Sequence, residues 1–106
     1  MIEIHEGSHN VYADIGLPDA EEMLVKAQLV TKILAIIKAR GWTQQKAADV
    51  LGLTQPKLSK VLRGQFRGIS QAKLLDCITR LGRDVQIVIG PDRFPIKTGH
   101  VAVVDG

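Results

Sequence analysis

Gln55, Lys57, Ser59 and Lys60 stand close together in the run 54–62 and offer amide, ammonium and hydroxyl groups side by side. A glutamine carboxamide can donate to and accept from one adenine edge, a lysine can meet a guanine acceptor or a phosphate, and a hydroxyl serves either. Arg63 and Arg67 follow, suited to backbone phosphates. The surrounding charge agrees. From residue 43 to residue 73 the chain carries Lys46, Lys57, Lys60, Arg63, Arg67 and Lys73 against Asp49 alone. Up to residue 22 it carries Glu3, Glu6, Asp14, Asp19, Glu21 and Glu22 and no Lys or Arg. A short basic block of this kind is the electrostatic footprint expected of a surface that meets a polyanion, and it is hidden inside a net charge of only +3.

To point those side chains outward together, the run must be a helix held on a second helix. Thr43 is a good N-cap for a helix Gln44–Leu51, with Ala47, Ala48, Val50 and Leu51 available for packing and Gly52 to end it. Thr54 then caps the next helix, and Pro56 falls in its first turn, where a missing amide hydrogen costs little. Two helices crossing through a tight turn need a small residue where they approach, Ala48, and one tolerant of positive φ between them, Gly52. With Leu53, Leu58 and Val61 turned inward, Gln55, Pro56, Lys57, Ser59 and Lys60 are left on the outer side.

Flanking elements complete a scaffold. After Pro18 and the capping candidate Asp19, an apolar face of Met23, Ala27, Val30, Ile33, Leu34 and Ile37 predicts a first helix that stops at Gly41. Ser70 caps a fourth, with Leu74, Leu75, Ile78 and Leu81 as its face and Gly82 as its stop. Trp42 reads as a hydrophobic staple where the chain turns into the second helix, and Phe66 and Ile69 as core plugs under a loop. The β-branched, alternating run 84–89 predicts a short strand, whose unpaired edge needs either the later run 100–104 or the same strand of a second molecule. The second molecule is favoured, with Val85, Ile87 and Ile89 as the dimerisation residues. The organisation expected is an N-terminal arm over 1–18, a helical domain over 19–82 and a C-terminal strand and tail over 83–106.

Other chemistries find little support. His5 and His9 stand at a spacing that would suit a metal on a helix, but Gly7 and Ser8 between them argue against one and no third ligand is in reach. A lone Cys77 among Leu74, Leu75, Ile78 and Leu81 reads as a small buried hydrophobe and fits a reducing compartment. No nucleophile with its base, paired carboxylates or glycine-rich phosphate cradle is visible, so neither an enzyme nor a cofactor is expected. No apolar run is long enough to span a membrane and the first residues do not form a secretory signal, which predicts a cytoplasmic protein without a membrane partner. A chain of 106 residues has room for one modest core.

The run 43–64 resembles the helix-turn-helix of the phage-repressor and Cro superfamily, the xenobiotic-response-element (XRE) family. Across Asn10-Val11-Tyr12-Ala13-Asp14-Ile15-Gly16-Leu17-Pro18, Thr54-Gln55-Pro56-Lys57-Leu58-Ser59 and Leu81-Gly82-Arg83-Asp84-Val85 the chain is similar to small bacterial regulators of that family, several of which act as antitoxins. The resemblance implies an all-α, four- to five-helix lambda-repressor-like domain. It further implies a homodimer that binds double-stranded DNA at an inverted-repeat operator as a repressor, with the 54–62 helix in the major groove. Carried over, Gln44 would use its side chain or amide on a phosphate and Gln55 would be the chief base reader. Thr54, Lys57 and Ser59 would meet bases or phosphates, and Lys60, Arg63 and Arg67 phosphates. Pro56 departs from the phage pattern, since it stands where those repressors often carry a polar reader and offers only apolar contact, as to a thymine methyl. An alternative is an antitoxin whose main contact is a cognate toxin, masked by the acidic arm or the C-terminal tail.

Overall fold

The structure is a computed structural model in which residues 2–3 and 19–105 are described. Four helices among them make up most of the ordered backbone: α1 (Ala20–Arg40), α2 (Gln44–Leu51), α3 (Gln55–Leu62) and α4 (Gln71–Arg80). Two two-residue strands, β1 (Ile2–Glu3) and β2 (Val104–Asp105), pair antiparallel, with Ile2 opposite Asp105 and Glu3 opposite Val104. The fold is thus all-helical with a minimal strand pair. His5 and His9, and the rest of the arm over 4–18, lie outside the described residues.

Three short helices start on the residue types that sequence reading singles out. The hydroxyls of Thr43, Thr54 and Ser70 accept from the amides of Lys46, Lys57 and Lys73 at 3.1, 3.2 and 3.0 Å. Each hydroxyl thereby satisfies one amide that the helix itself leaves unpaired. At the α2–α3 turn Gly52 adopts φ 69°, and its amide donates to the Ala48 carbonyl. A Cβ there would sit 3.0 Å from a guanidinium nitrogen of Arg80, so the position combines a left-handed backbone with a crowded surface.

The core gathers inward-facing residues from every helix. Met23, Val30, Ile33 and Ile37 of α1 meet Ala47, Ala48 and Leu51 of α2, Leu58 and Val61 of α3, and Leu74, Cys77 and Ile78 of α4. Ala47, Ala48 and Leu51 are fully enclosed, which is the close approach that small side chains permit where α2 meets its neighbours. Trp42 packs half-buried against this core, and Phe66 and Ile69 plug it beneath the loop after α3. Arg40 ties the last turn of α1 to the C-cap of α4, donating from Nη2 to the Leu81 carbonyl at 2.6 Å.

Several sequence expectations need correction. The buried part of α1 is wider than one stripe, since Val25, Lys26, Gln28 and Leu29 are buried as well, whereas Leu34 is only half-buried. Of these, Lys26 meets the loop over 64–69, where the Arg67 carbonyl accepts from its Nζ at 3.0 Å. Asp19 occupies the N-cap of α1 but makes no side-chain capping bond: its backbone, at φ −110° and ψ 35°, is not in the extended conformation of the other three caps, and its Oδ2 is engaged by Arg67. The run 84–89 is not a strand in the single chain and has no ladder partner among the described residues. The later run does not fold back on it. Instead Val104 lies opposite Glu3, Val103 packs on the core, and His100 and Asp105 pair with Glu21 and Lys32 of α1. An extended backbone needs a neighbour for its donors and acceptors, and the return of the chain along α1 takes the intramolecular candidate away.

Candidate nucleic-acid interface

The starts of α2 and α3 lie side by side. Gln44 is the first residue of α2 and Gln55 the first of α3, and Gln55 Nε2 donates to Gln44 Oε1 at 3.1 Å. That bond crosses the helix-turn-helix and ties the two helix starts together at their side chains. It uses one of the two amide hydrogens of Gln55 and leaves the second hydrogen and the carbonyl oxygen for another partner. Thr54 and Pro56 are exposed beside it, and Lys57 and Ser59 are half-buried. Lys60 and Arg63, at the far end of α3, are exposed.

Of the two remaining cations, one lies beside the loop after α3 and the other within it. Lys57 leans toward Gly68, its Nζ 3.8 Å from where a Cβ would stand. Arg67 donates from Nη1 to Asp19 Oδ2, an ion pair between α1's cap residue and the loop. The guanidinium holds the Asp19 carboxyl below the usual aspartate range, and the carboxylate in turn raises Arg67. Arg67 is therefore placed by a partner, and its side chain is still more than half exposed.

Two features here escaped sequence reading. Trp42 carries cations over its ring, Arg40 at 5.0 Å and Lys46 at 5.7 Å from the centroid. Lys46 thus stands at the first turn of α2, held over an aromatic face, which adds a cation to the edge that Gln44 begins. The signal was present in the sequence as basic residues two before and four after the tryptophan. Asp19 as the anchor of Arg67 left no such local trace, because the partners are far apart along the chain.

Val85, Ile87 and Ile89 do not join this surface. They project from the tail with rising exposure, at 37%, 79% and 87%. Cys77 is enclosed in the core and its thiol is pushed up by desolvation, which suits an inert hydrophobe rather than a nucleophile. Among the described residues no group of three or more His, Cys, Asp or Glu is placed to hold a metal ion, and no helix is long and apolar enough to cross a membrane.

A family model described as a helix-turn-helix domain matches residues 11–90, which includes all four helices and the run 84–89. The chain belongs to the XRE-like helix-turn-helix family. A solved structure named "Putative XRE Family Transcriptional Regulator" is 32% identical, with a TM-score of 0.77, over 84% of this chain and the whole of that one. No curated protein matches. In this XRE-like chain the family's two-helix unit is the α2–α3 pair, and the glutamine bridge lies across its open side. The family match also extends past α4, so the apolar tail segment falls within the shared unit rather than outside it.

Proposed function

We propose that the protein is a sequence-specific double-stranded DNA-binding transcriptional regulator, acting as a homodimeric repressor on an inverted-repeat operator. The observation that carries this reading is the Gln44–Gln55 bridge. It presents one carboxamide at the start of α2, toward a phosphate, and holds the other at the start of α3, toward a base edge. Pro56 and the aliphatic part of Lys57 continue the α3 surface, with Thr54 and Ser59 as hydroxyl partners. Lys60, Arg63, Arg67 and Lys46 surround it with positive charge, which supplies the salt-dependent part of binding.

A single eight-residue helix reads too little sequence to act alone. Two copies joined through residues 84–89 would present two α3 helices about 34 Å apart, one DNA turn, on one face of the duplex. The exposed apolar side chains of Val85, Ile87 and Ile89, with Val88 exposed between them, support that joint. In this scheme residues 19–82 read DNA and residues 83–106 assemble the dimer, inside a cytoplasmic cell compartment. The alternative is an antitoxin whose acidic arm or C-terminal tail masks a cationic toxin, and residues 4–18 of that arm lie outside the described residues.

Selection of binding sites from random duplexes at one stated salt concentration tests the reading. An enriched palindrome is expected. Gln55→Ala should relax selection at one position of each half-site and cost about 1–3 kcal/mol on the selected duplex. Lys60→Ala should weaken all duplexes alike and reduce the slope of log affinity against log salt by about 0.9. Failure to enrich any palindrome overturns the proposal.

A further inference from the structure

We propose that Asp19 is a positioning residue for DNA recognition: it clamps Arg67 so that its phosphate contact forms only when α3 is correctly seated in the groove. The inference rests on the DNA-binding reading above. Arg67 is gripped at two points from one face of α1. Its guanidinium is held by Asp19, and its carbonyl oxygen accepts from Lys26 Nζ at 3.0 Å. Lys26 is itself 5% exposed and lies 3.4 Å from Glu22 Oε1. Asp19, Glu22 and Lys26 follow at steps of three and four, the spacing that stacks side chains along a helix. On its other side the same loop meets α3, where Lys57 Nζ approaches Gly68. The loop is thereby a strut between the start of α1 and the first turns of the reading helix.

An acid beside a DNA-facing arginine is costly to affinity, because it repels the phosphates and occupies a donor. The basic stretch 43–73 holds Asp49 as its one acid, so a carboxylate brought in from α1 stands out. What it contributes is direction. Arginine has five donors, and the Asp19 contact leaves others to face a phosphate while removing much of the side chain's rotamer freedom. A loose arginine finds a phosphate in almost any docking pose. A clamped one finds it in a single pose, so the contact sets register rather than simply adding attraction.

The test compares the selected operator duplex with a scrambled duplex of equal length. In Asp19→Asn the scrambled duplex should bind more tightly, since a repelling charge is gone, and the operator-to-scrambled affinity ratio should fall about tenfold, the size of one charge-assisted hydrogen bond. Arg67→Lys, which keeps the charge but not the fork, should lower the ratio similarly, and the double variant should fall no further than either single one. Lys26→Met, which cuts the backbone grip, should also lower it, and helical circular dichroism checks that each variant is folded at the assay temperature. An unchanged ratio in Asp19→Asn, or losses that add in the double variant, overturns the inference while leaving the DNA-binding reading standing. If no site is selected by the parent protein, both fall.

Discussion

The helical block and the tail use the same kinds of apolar residue and bury them to opposite extents. Leu51, Leu58 and Leu74 are at most 1% exposed, whereas Ile87, Ile89, Phe94 and Ile96 are 79–98% exposed. Hydrophobicity does not separate the two regions. The difference lies in how each backbone satisfies itself. A helix closes its hydrogen bonds within its own segment, so α1 to α4 need only cover one another's apolar sides. An extended run must borrow a neighbour, and residues 84–89 have none among the described residues. The helical block thus covers itself within one chain, whereas residues 84–89 form no ladder there.

The sharpest way to break that comparison is to damage each region in turn. Leu58→Ala empties a fully packed site in α3 and should cost about 2–5 kcal/mol in urea unfolding. Ile87→Pro removes a ladder donor from the tail and should convert the sedimenting dimer to monomer. At dilutions where the parent is also monomeric, it should leave the urea midpoint within about 0.5 kcal/mol of the parent. A dimer that survives Ile87→Pro would sink the tail as the joint. A large stability loss in dilute Ile87→Pro would show instead that the tail belongs to the core.

Sequence legibility follows the same division. The spans of α2 and α3, the caps Thr43, Thr54 and Ser70, and the inward residues Ala48, Leu58 and Val61 depend on neighbours within a turn or two, and local pattern reveals them. Asp19 shows where that stops. Its type and place say helix cap, but its Oδ2 meets a guanidinium 48 residues onward, a partner that no local pattern reveals. Lys26 is similar, since a buried ammonium is intelligible only once the Arg67 carbonyl is beside it. The alternation in 84–89 predicts a strand that the single chain does not form, because local pattern cannot supply the neighbour that a ladder needs. The Gln44–Gln55 bridge sits between these cases: both residues follow a threonine cap at the first position of adjacent helices, and only the tight turn between them brings the carboxamides together.

The glycines offer a smaller contrast between the regions. Gly52 is left-handed, and an added Cβ would press on Arg80, whereas Gly90 in the tail has open space around it and no positive φ. Gly52→Ala should therefore cost about 1–2 kcal/mol in thermal or urea unfolding. Gly90→Ala should change stability by no more than about 0.5 kcal/mol. Equal effects would mean that the α2–α3 turn relaxes freely, which would also loosen the glutamine bridge it sets up.

Charge at the surface of the helical block should give the weakest effect, and its sign is determined. Asp76 accepts from Arg80 Nε at 2.9 Å and from Lys73 Nζ at 3.3 Å, and these donors, Arg80 foremost, hold its carboxyl below the ordinary aspartate value of 3.8. Because the folded value lies below the unfolded one, the unfolded chain binds more protons between the two. The stabilisation is therefore present above the unfolded value and is lost as pH falls through the folded one. Asp76→Asn should unfold slightly more easily than the parent at neutral pH, and the gap in urea midpoints should close in acid. Since Asp76 also steadies the guanidinium that lies over Gly52, the amide could keep part of that placement by hydrogen bonding alone. A gap that does not change with pH would assign the contact's value to that placement rather than to charge, and would make Arg80 a packing element of the turn.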